Sequence, residues 1–217
     1  MAIHEKHREW IAERGLDPKL AEALGLETVE REGKAWLSVP YVQGGETINH
    51  KYRRTAEKDH RMDPGAPLVL WNADCLKDPK VRNGHAPVVI TEGEWDAIAV
   101  KQAGHPFVVS VPGGAPGKPT DNLDTAKRYE WVDRHAEDLA KVREFVIAAD
   151  DDQAGWHLRT DLIALLGAER CRFVEYPFPS KDLNEVLVDY NAERVVECIT
   201  TAKAVPVQGL YTIDDFP

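Results

Sequence analysis

Carboxylates in this chain collect where apolar runs stop. Residues 145–148 (Phe-Val-Ile-Ala) lead through Ala149 into Asp150, Asp151 and Asp152, and Gln153-Ala154-Gly155 opens the next segment. Residues 87–91 (Pro-Val-Val-Ile-Thr) lead to Glu92, with Gly93 and then Asp96 close behind. A third group, Lys181-Asp182-Leu183-Asn184-Glu185, follows the apolar stretch from Cys171 to Tyr176. Adjacent carboxylates repel one another, and a cation or a proton between them relieves the repulsion. In an extended chain Asp150 and Asp152 point to one side and Asp151 to the other. That geometry offers two oxygen ligands to one hard divalent cation, and Mg²⁺ is commonly held by one or two carboxylates with waters and phosphates. The bland alternative is a solvated acidic turn in which Asp152 caps the helix that follows.

Something must hold these acids in place, and the apolar runs are suited to it. Short apolar runs of this kind read as buried strands of a parallel sheet. Strands are predicted at 87–92, 107–111, 143–149 and 171–176, and helices at about 95–103, 123–139, 154–166, 182–188 and 191–202. Alternation of this type argues an α/β fold, a parallel sheet with helices on both faces. The acids then lie at the carboxyl ends of strands, where open α/β sheets place their ligands. The first 85 residues differ. Two short helices (5–14 and 18–24) precede a strand from Ala35, a Gly44-Gly45 turn and a hairpin partner over 46–53. A small α/β subdomain is therefore expected at 1–85, the main domain at 86–203, and a linker at 204–217.

The chain has 217 residues, 43% hydrophobic and 29% charged, which suits one or two domains with a real core. No apolar run approaches the ~20 residues of a membrane span, and the first residues do not read as a signal peptide. Three cysteines far apart, Cys75, Cys171 and Cys198, read as reduced thiols and not as a zinc module. The net charge of −10 is the wrong sign for a protein that coats nucleic acid. Against that balance, residues 51–61 stand out with Lys51, Arg53, Arg54, Lys58 and Arg61. They are either a solvated hairpin edge or a phosphate-binding wall opposite a metal site, with side chains expected at the surface. The loop 112–119, rich in glycine and proline, is a weaker phosphate candidate because it lacks P-loop spacing.

Taken in order, strand-Glu-Gly-x-x-Asp, strand-Asp-x-Asp-x-Ala-Gly and Lys-Asp-x-Asn-Glu resemble the Toprim domain of bacterial-type primases, topoisomerases and some nucleases. Val39-Pro40-Tyr41, Lys51-Tyr52-Arg53, Lys58-Asp59 and the tail extend the likeness to the primase half of phage primase–helicases and their Twinkle-type relatives. The resemblance implies metal-dependent RNA primer synthesis on single-stranded DNA. It assigns Glu92, Asp150 and Asp152 to catalysis and divalent metal (Mg²⁺ or Mn²⁺, no zinc), with Asp96 and Asp182 in support. Lys51, Arg53, Arg54, Lys58, Arg61 and Lys181 would contact nucleotide or nucleic acid. The implied partners are single-stranded DNA, ribonucleoside triphosphates and a helicase domain or protein. The implied setting is the cytoplasm of a bacterial or phage-infected cell, with no membrane. Rival readings are a Toprim nuclease, a topoisomerase fragment, or a helicase-associated DNA-binding module that has lost priming.

Overall fold

The computed structural model describes residues 2–57 and 59–206. The chain opens with α1 (Glu5–Glu13) and α2 (Pro18–Ala23). Pro18 sits in the first turn of α2, and the Asp17 side chain accepts from the Lys19 amide at 2.8 Å, so the helix start is both pre-set and capped. Four antiparallel strands follow in spatial order: β1 (Glu27–Arg31), β2 (Lys34–Gln43), β3 (Glu46–Arg54) and β4 (Asp59–Met62). Gly44 and Gly45, at φ 62° and 84°, make the two-residue turn between β2 and β3, which a residue with a Cβ would strain. The hairpin matches the sequence reading; β1 and β4 were not anticipated. A 3-10 turn (Ala73–Lys77) and α3 (Pro79–Arg82) lead into the second sheet.

That sheet contains β5 (Val88–Thr91), β6 (Val108–Ser110), β7 (Phe145–Ala148), β8 (Cys171–Phe173) and β9 (Lys203–Ala204), in the order β6-β5-β7-β8-β9. The first four run parallel, and β9 closes the edge antiparallel to β8. The helices are α4 (Glu94–Gln102), α5 (Glu130–Arg134), α6 (Ala136–Leu139), α7 (Gln153–Leu166), α8 (Leu183–Asp189) and α9 (Ala192–Thr200). Strand residues alternate between two cores. Val89, Val108 and Val146 face α4, α8 and α9, while Val88, Ile90, Val109, Phe145 and Ile147 face α7 and Trp131. Both faces are covered, which is why the strand sequences are apolar throughout. The first core also takes in Ile11, Leu37 and Val39, so the antiparallel sheet and the parallel sheet pack on shared residues.

Two sequence expectations need correction. The single helix expected over 123–139 is a 3-10 turn (Lys127–Tyr129) followed by α5 and α6. Its side chains are claimed by different neighbours: the Tyr129 hydroxyl donates to Asp161 at 2.6 Å, and Glu130 accepts from the Leu68 amide at 2.9 Å. His135 in turn accepts from the Leu70 amide at 3.2 Å at the break between α5 and α6. Ala204, expected to start a linker, pairs with Arg172 at the sheet edge. Residues 207–217 of that expected linker lie outside the described residues.

Candidate active site

The strand order sets the location. From β5 the chain crosses through α4 to β6 on one side, then returns to β7 on the other side of β5. This reversal opens a crevice at the carboxyl ends of β5 and β7. Thr91 pairs with Ala148, so Glu92 and Asp150 leave neighbouring strand ends together. A Cβ on Gly155 would lie 2.0 Å from the Asp150 carbonyl oxygen, so only glycine lets α7 begin this close to the acids. Asp152 caps α7, accepting from the Gly155 amide at 2.9 Å. The Lys181 carbonyl accepts from the Asp151 amide at 2.8 Å and ties the third acidic group to the second. Asp182 caps α8 through the Glu185 amide at 2.6 Å, and the Glu185 carboxylate accepts from the Lys181 amide at 2.8 Å. Asn184 joins two walls: its amide donates to Asp96 Oδ1 at 3.1 Å, and its side-chain nitrogen donates to the Arg14 carbonyl at 2.7 Å.

Glu92, Asp96, Asp150 and Asp182 line one cleft of about 220 Å³ together with Lys51, Arg53 and Arg14. The acids are poorly compensated. Burial, then the charges of Glu92, Asp182 and Asp152, push the Asp150 carboxyl up to about 8. Burial also raises Glu92, although amide hydrogen bonds and Lys51 pull the other way. Asp96 lies well above the ordinary carboxylate range, first through burial and then through Asp182 and Asp150. Glu92 Oε1 accepts from the Ala115 amide at 3.2 Å, whereas its Oε2 is buried with no hydrogen-bond partner. The glycine loop thus serves the site by orienting Glu92, and Gly113 and Gly114 line the cleft.

The basic side is different. Lys51 Nζ contacts both Glu94 oxygens, at 2.8 and 2.9 Å, and the Tyr41 hydroxyl also donates to Glu94. The Lys51 side chain is 14% exposed and that of Glu94 3%, so Lys51 belongs to a buried ion pair and not to the surface as expected. Arg53 lines the cleft. Arg54 pairs with Glu57 at 2.7 Å, and Arg61 pairs with Glu32 and Asp59 at 3.1 and 3.3 Å, beside the Trp36 ring. Neither of these two lines the cleft, nor does Lys181, and Lys58 lies outside the described residues. Glu94, Tyr41 and Arg14 are the parts that sequence reasoning missed. The first stands inside the Glu-Gly-Glu-Trp-Asp stretch and the second in Val-Pro-Tyr, but only tertiary packing shows that they meet.

The donor set fits a hard divalent cation. It consists of carboxylate oxygens at one strand-end crevice, raised first by burial and then by one another's charge, with one buried oxygen unspent. Among the described residues no group of three or more His, Cys, Asp or Glu could hold a metal ion alone. Mg²⁺ asks for less, since it keeps several waters and takes one or two carboxylates plus substrate phosphates.

Residues 86–174 match the family model described as Toprim domain. These residues form a Toprim domain. It contains Glu92, Asp96, Asp150 and Asp152, and Asp182 lies just beyond the matched span. Over 90% of its length the chain carrying this Toprim domain is 31% identical to Twinkle homolog protein, chloroplastic/mitochondrial, of Arabidopsis thaliana. It is 30% identical, over 93% of its length, to Primase homolog protein of the same plant. It spans 29% of the first relative and 60% of the second. The primase fragment of the bacteriophage T7 primase-helicase protein superposes with a TM-score of 0.66 at 21% identity, over 87% of this chain and 72% of that one. The likeness therefore extends in fold beyond the Toprim domain, into the N-terminal sheet. Among the described residues no helix is long and apolar enough to cross a membrane.

Proposed function

We propose that this chain is a primase-type nucleotidyltransferase, which joins ribonucleotides into a primer on single-stranded DNA within a primase–helicase assembly. The observation that carries the reading is the cleft at the β5/β7 reversal, where undercompensated carboxylates and cationic side chains line the same recess. In the transfer, a 3′-hydroxyl oxygen bonds to the α-phosphorus of an incoming nucleotide as its proton passes to solvent, the α–β bridge breaks, and pyrophosphate leaves. Glu92 and Asp150 would hold the divalent cation, with Asp152 and Asp182 shaping the charge around them. When bound, that cation supplies neutralisation of the charge that develops on the attacking and leaving oxygens. Lys51 gives two of its three hydrogens to Glu94 and keeps one for a phosphate oxygen. Asp96, raised above the ordinary carboxylate range by burial and anchored by the Asn184 amide, keeps α4 and α8 together behind the acids. The name of one relative, primase homolog, supports the choice of reaction, and the primase-helicase from which the T7 fragment comes supports the helicase partner.

The test is primer synthesis from labelled ribonucleotides on mixed-sequence single-stranded templates with Mg²⁺ or Mn²⁺. Wild type is compared with Glu92→Gln, whose rate is expected to fall ~100-fold or more. Template fragments in place of primers would make the domain a nuclease. Neither product, with DNA binding retained, would make it a binding module.

A further inference from the structure

Glu92 is held, at one remove, by Arg128. The Ala115 amide that donates to Glu92 Oε1 at 3.2 Å belongs to the same peptide unit as the Gly114 carbonyl. That carbonyl accepts from Arg128 Nη2 at 3.0 Å, and the Gly113 carbonyl accepts from the same nitrogen at 3.3 Å. A trans peptide unit is planar, with its C=O and N–H pointing in opposite directions. One rigid plane therefore carries a guanidinium at one end and the carboxylate at the other. The positive charge also polarises the unit and strengthens its N–H as a donor, since hydrogen bonds in a chain reinforce one another. Gly114 has φ 60°, and a Cβ on it would stand 3.9 Å from Glu92 Oε1, so the loop runs against the carboxylate.

Arg128 is itself fixed. It lies in the 3-10 turn Lys127–Tyr129, and the hydroxyl of its neighbour Tyr129 donates to buried Asp161 of α7 at 2.6 Å. Thr120, just past the loop, donates to the same Asp161 oxygen at 2.6 Å, and His157 of α7 meets the Pro116 carbonyl at 3.3 Å. Loop and arginine are thus tied to one helix. Among the described residues Arg128 pairs with no carboxylate, and its side-chain hydrogen bonds go to the two glycine carbonyls. With Glu92 Oε1 taken by the loop, Oε2 is the oxygen left unspent.

We propose that Arg128 is a positioning residue, which acts through the Gly114–Ala115 peptide to fix the Glu92 carboxylate in the orientation that ligates the divalent cation. The inference rests on Glu92 as a metal ligand, as in the proposed function. A carboxylate free to rotate loses that freedom when a cation arrives, whereas one already held does not and binds more tightly. Groups that orient a ligand in this way control metal affinity without touching the metal.

The experiment titrates the full chain with Mn²⁺ alone, counting the free ion by electron spin resonance, and with Mg²⁺ alone, by the shift in melting temperature. Neither readout needs a nucleotide, a template or turnover. Arg128→Gln is expected to weaken both metals about tenfold. Arg128→Lys should lose less, because it keeps the charge but not the planar fork. Ala115→Pro, which removes the amide, should match Arg128→Gln. The double variant should bind no more weakly than either single one, since both cut the same chain. Arg134→Gln, which breaks the 3.6 Å pair with Glu130 beside the turn, is the control and should bind like wild type. Melting curves without metal verify folding; should Ala115→Pro not fold, the two Arg128 variants carry the test. Wild-type metal affinity in Arg128→Gln overturns the positioning role and leaves the proposed function standing. An equal loss in Arg134→Gln overturns it too, by showing that any damage near the turn is felt. Additive losses in the double variant overturn the peptide as the link. No metal response in the wild type refutes Glu92 as a ligand and removes both readings.

Discussion

The two walls of the cleft are built on opposite principles. The acidic wall is assembled from consecutive strand ends of one sheet, and its charges are left to repel, with Asp150 raised to about 8 and Glu92 Oε2 unsatisfied. The basic wall is assembled from α1 and β3, and its central lysine is already neutralised by Glu94. One wall is poised to gain a cation; the other has its central charge spent internally. The difference teaches that a residue's presence in a cleft does not make its charge available. Availability depends on whether the fold has supplied a partner.

The largest effect should come from breaking the internal pair. Lys51→Met leaves Glu94 buried with Tyr41 as its remaining side-chain partner. Removing one member of a buried ion pair costs about 3–5 kcal/mol, or roughly 10 °C in melting temperature for a chain of this size. Lys51→Met with Glu94→Gln should recover much of the loss, because Gln still accepts from Tyr41 and carries no charge. Urea unfolding of the four members of the cycle measures it. A Lys51→Met variant as stable as its parent would mean that Glu94 does not depend on Lys51, and the contrast between the walls would fail.

The same contrast explains what was legible in the sequence. Glu92, Asp150 and Asp182 could be read because strand ends are announced locally: four apolar residues, then acid, then a helix start with Gly155 or a capping Asp182. The alternation implies a parallel sheet with acids at its strand ends, but not the order β6-β5-β7-β8-β9 that sets Glu92 beside Asp150. The Lys51–Glu94–Tyr41 contact joins residues 43 and 53 positions apart. Arg14 meets the site through Asn184, 170 positions away. No local rhythm encodes such distances. The basic run 51–61 looked like one functional unit, but strand alternation and the β3–β4 turn divide it, sending Lys51 and Arg53 to the cleft and Arg54 and Arg61 toward Trp36. The broken segment 127–139 failed for the same reason, since Leu68, Leu70 and Asp161 decide its course.

A middle-sized effect should appear on the acidic wall. Asp150 titrates near 8 in the folded chain and at its ordinary value near 3.8 when unfolded. Between those values the native state holds the extra proton, so metal-free stability falls as pH rises through that window and levels off above it. Asp150→Asn removes this slope. In chelator near pH 8 it should be more stable than wild type by about 1–3 kcal/mol, after discounting for the solvent that reaches the group. Mg²⁺ reverses the order, because a ligand that prefers the native state stabilises wild type and finds fewer oxygens in the variant. Melting curves from pH 4 to 9 with and without Mg²⁺ read both effects. Parallel curves for the two proteins would show that the wall is hydrated and its repulsion already relieved.

The smallest effect is expected at Arg61, and it sharpens where the basic wall ends. Its side chain is 50% exposed and divides itself between Glu32, 70% exposed, and Asp59, 38% exposed. Exposed pairs of this kind contribute about 0–1 kcal/mol. The guanidinium carbon also lies 5.0 Å from the Trp36 ring centre, a contact worth about 0.5–1 kcal/mol at an exposed site. Arg61→Ala should therefore lose no more than about 1 kcal/mol in urea unfolding, because the two contributions overlap on one mobile side chain and are not additive. Its affinity for inorganic tripolyphosphate should stay within about twofold of wild type, since the charge is already shared between two acids and lines no part of the cleft. A larger loss would extend the cationic wall along β4 and make the whole basic run one phosphate surface.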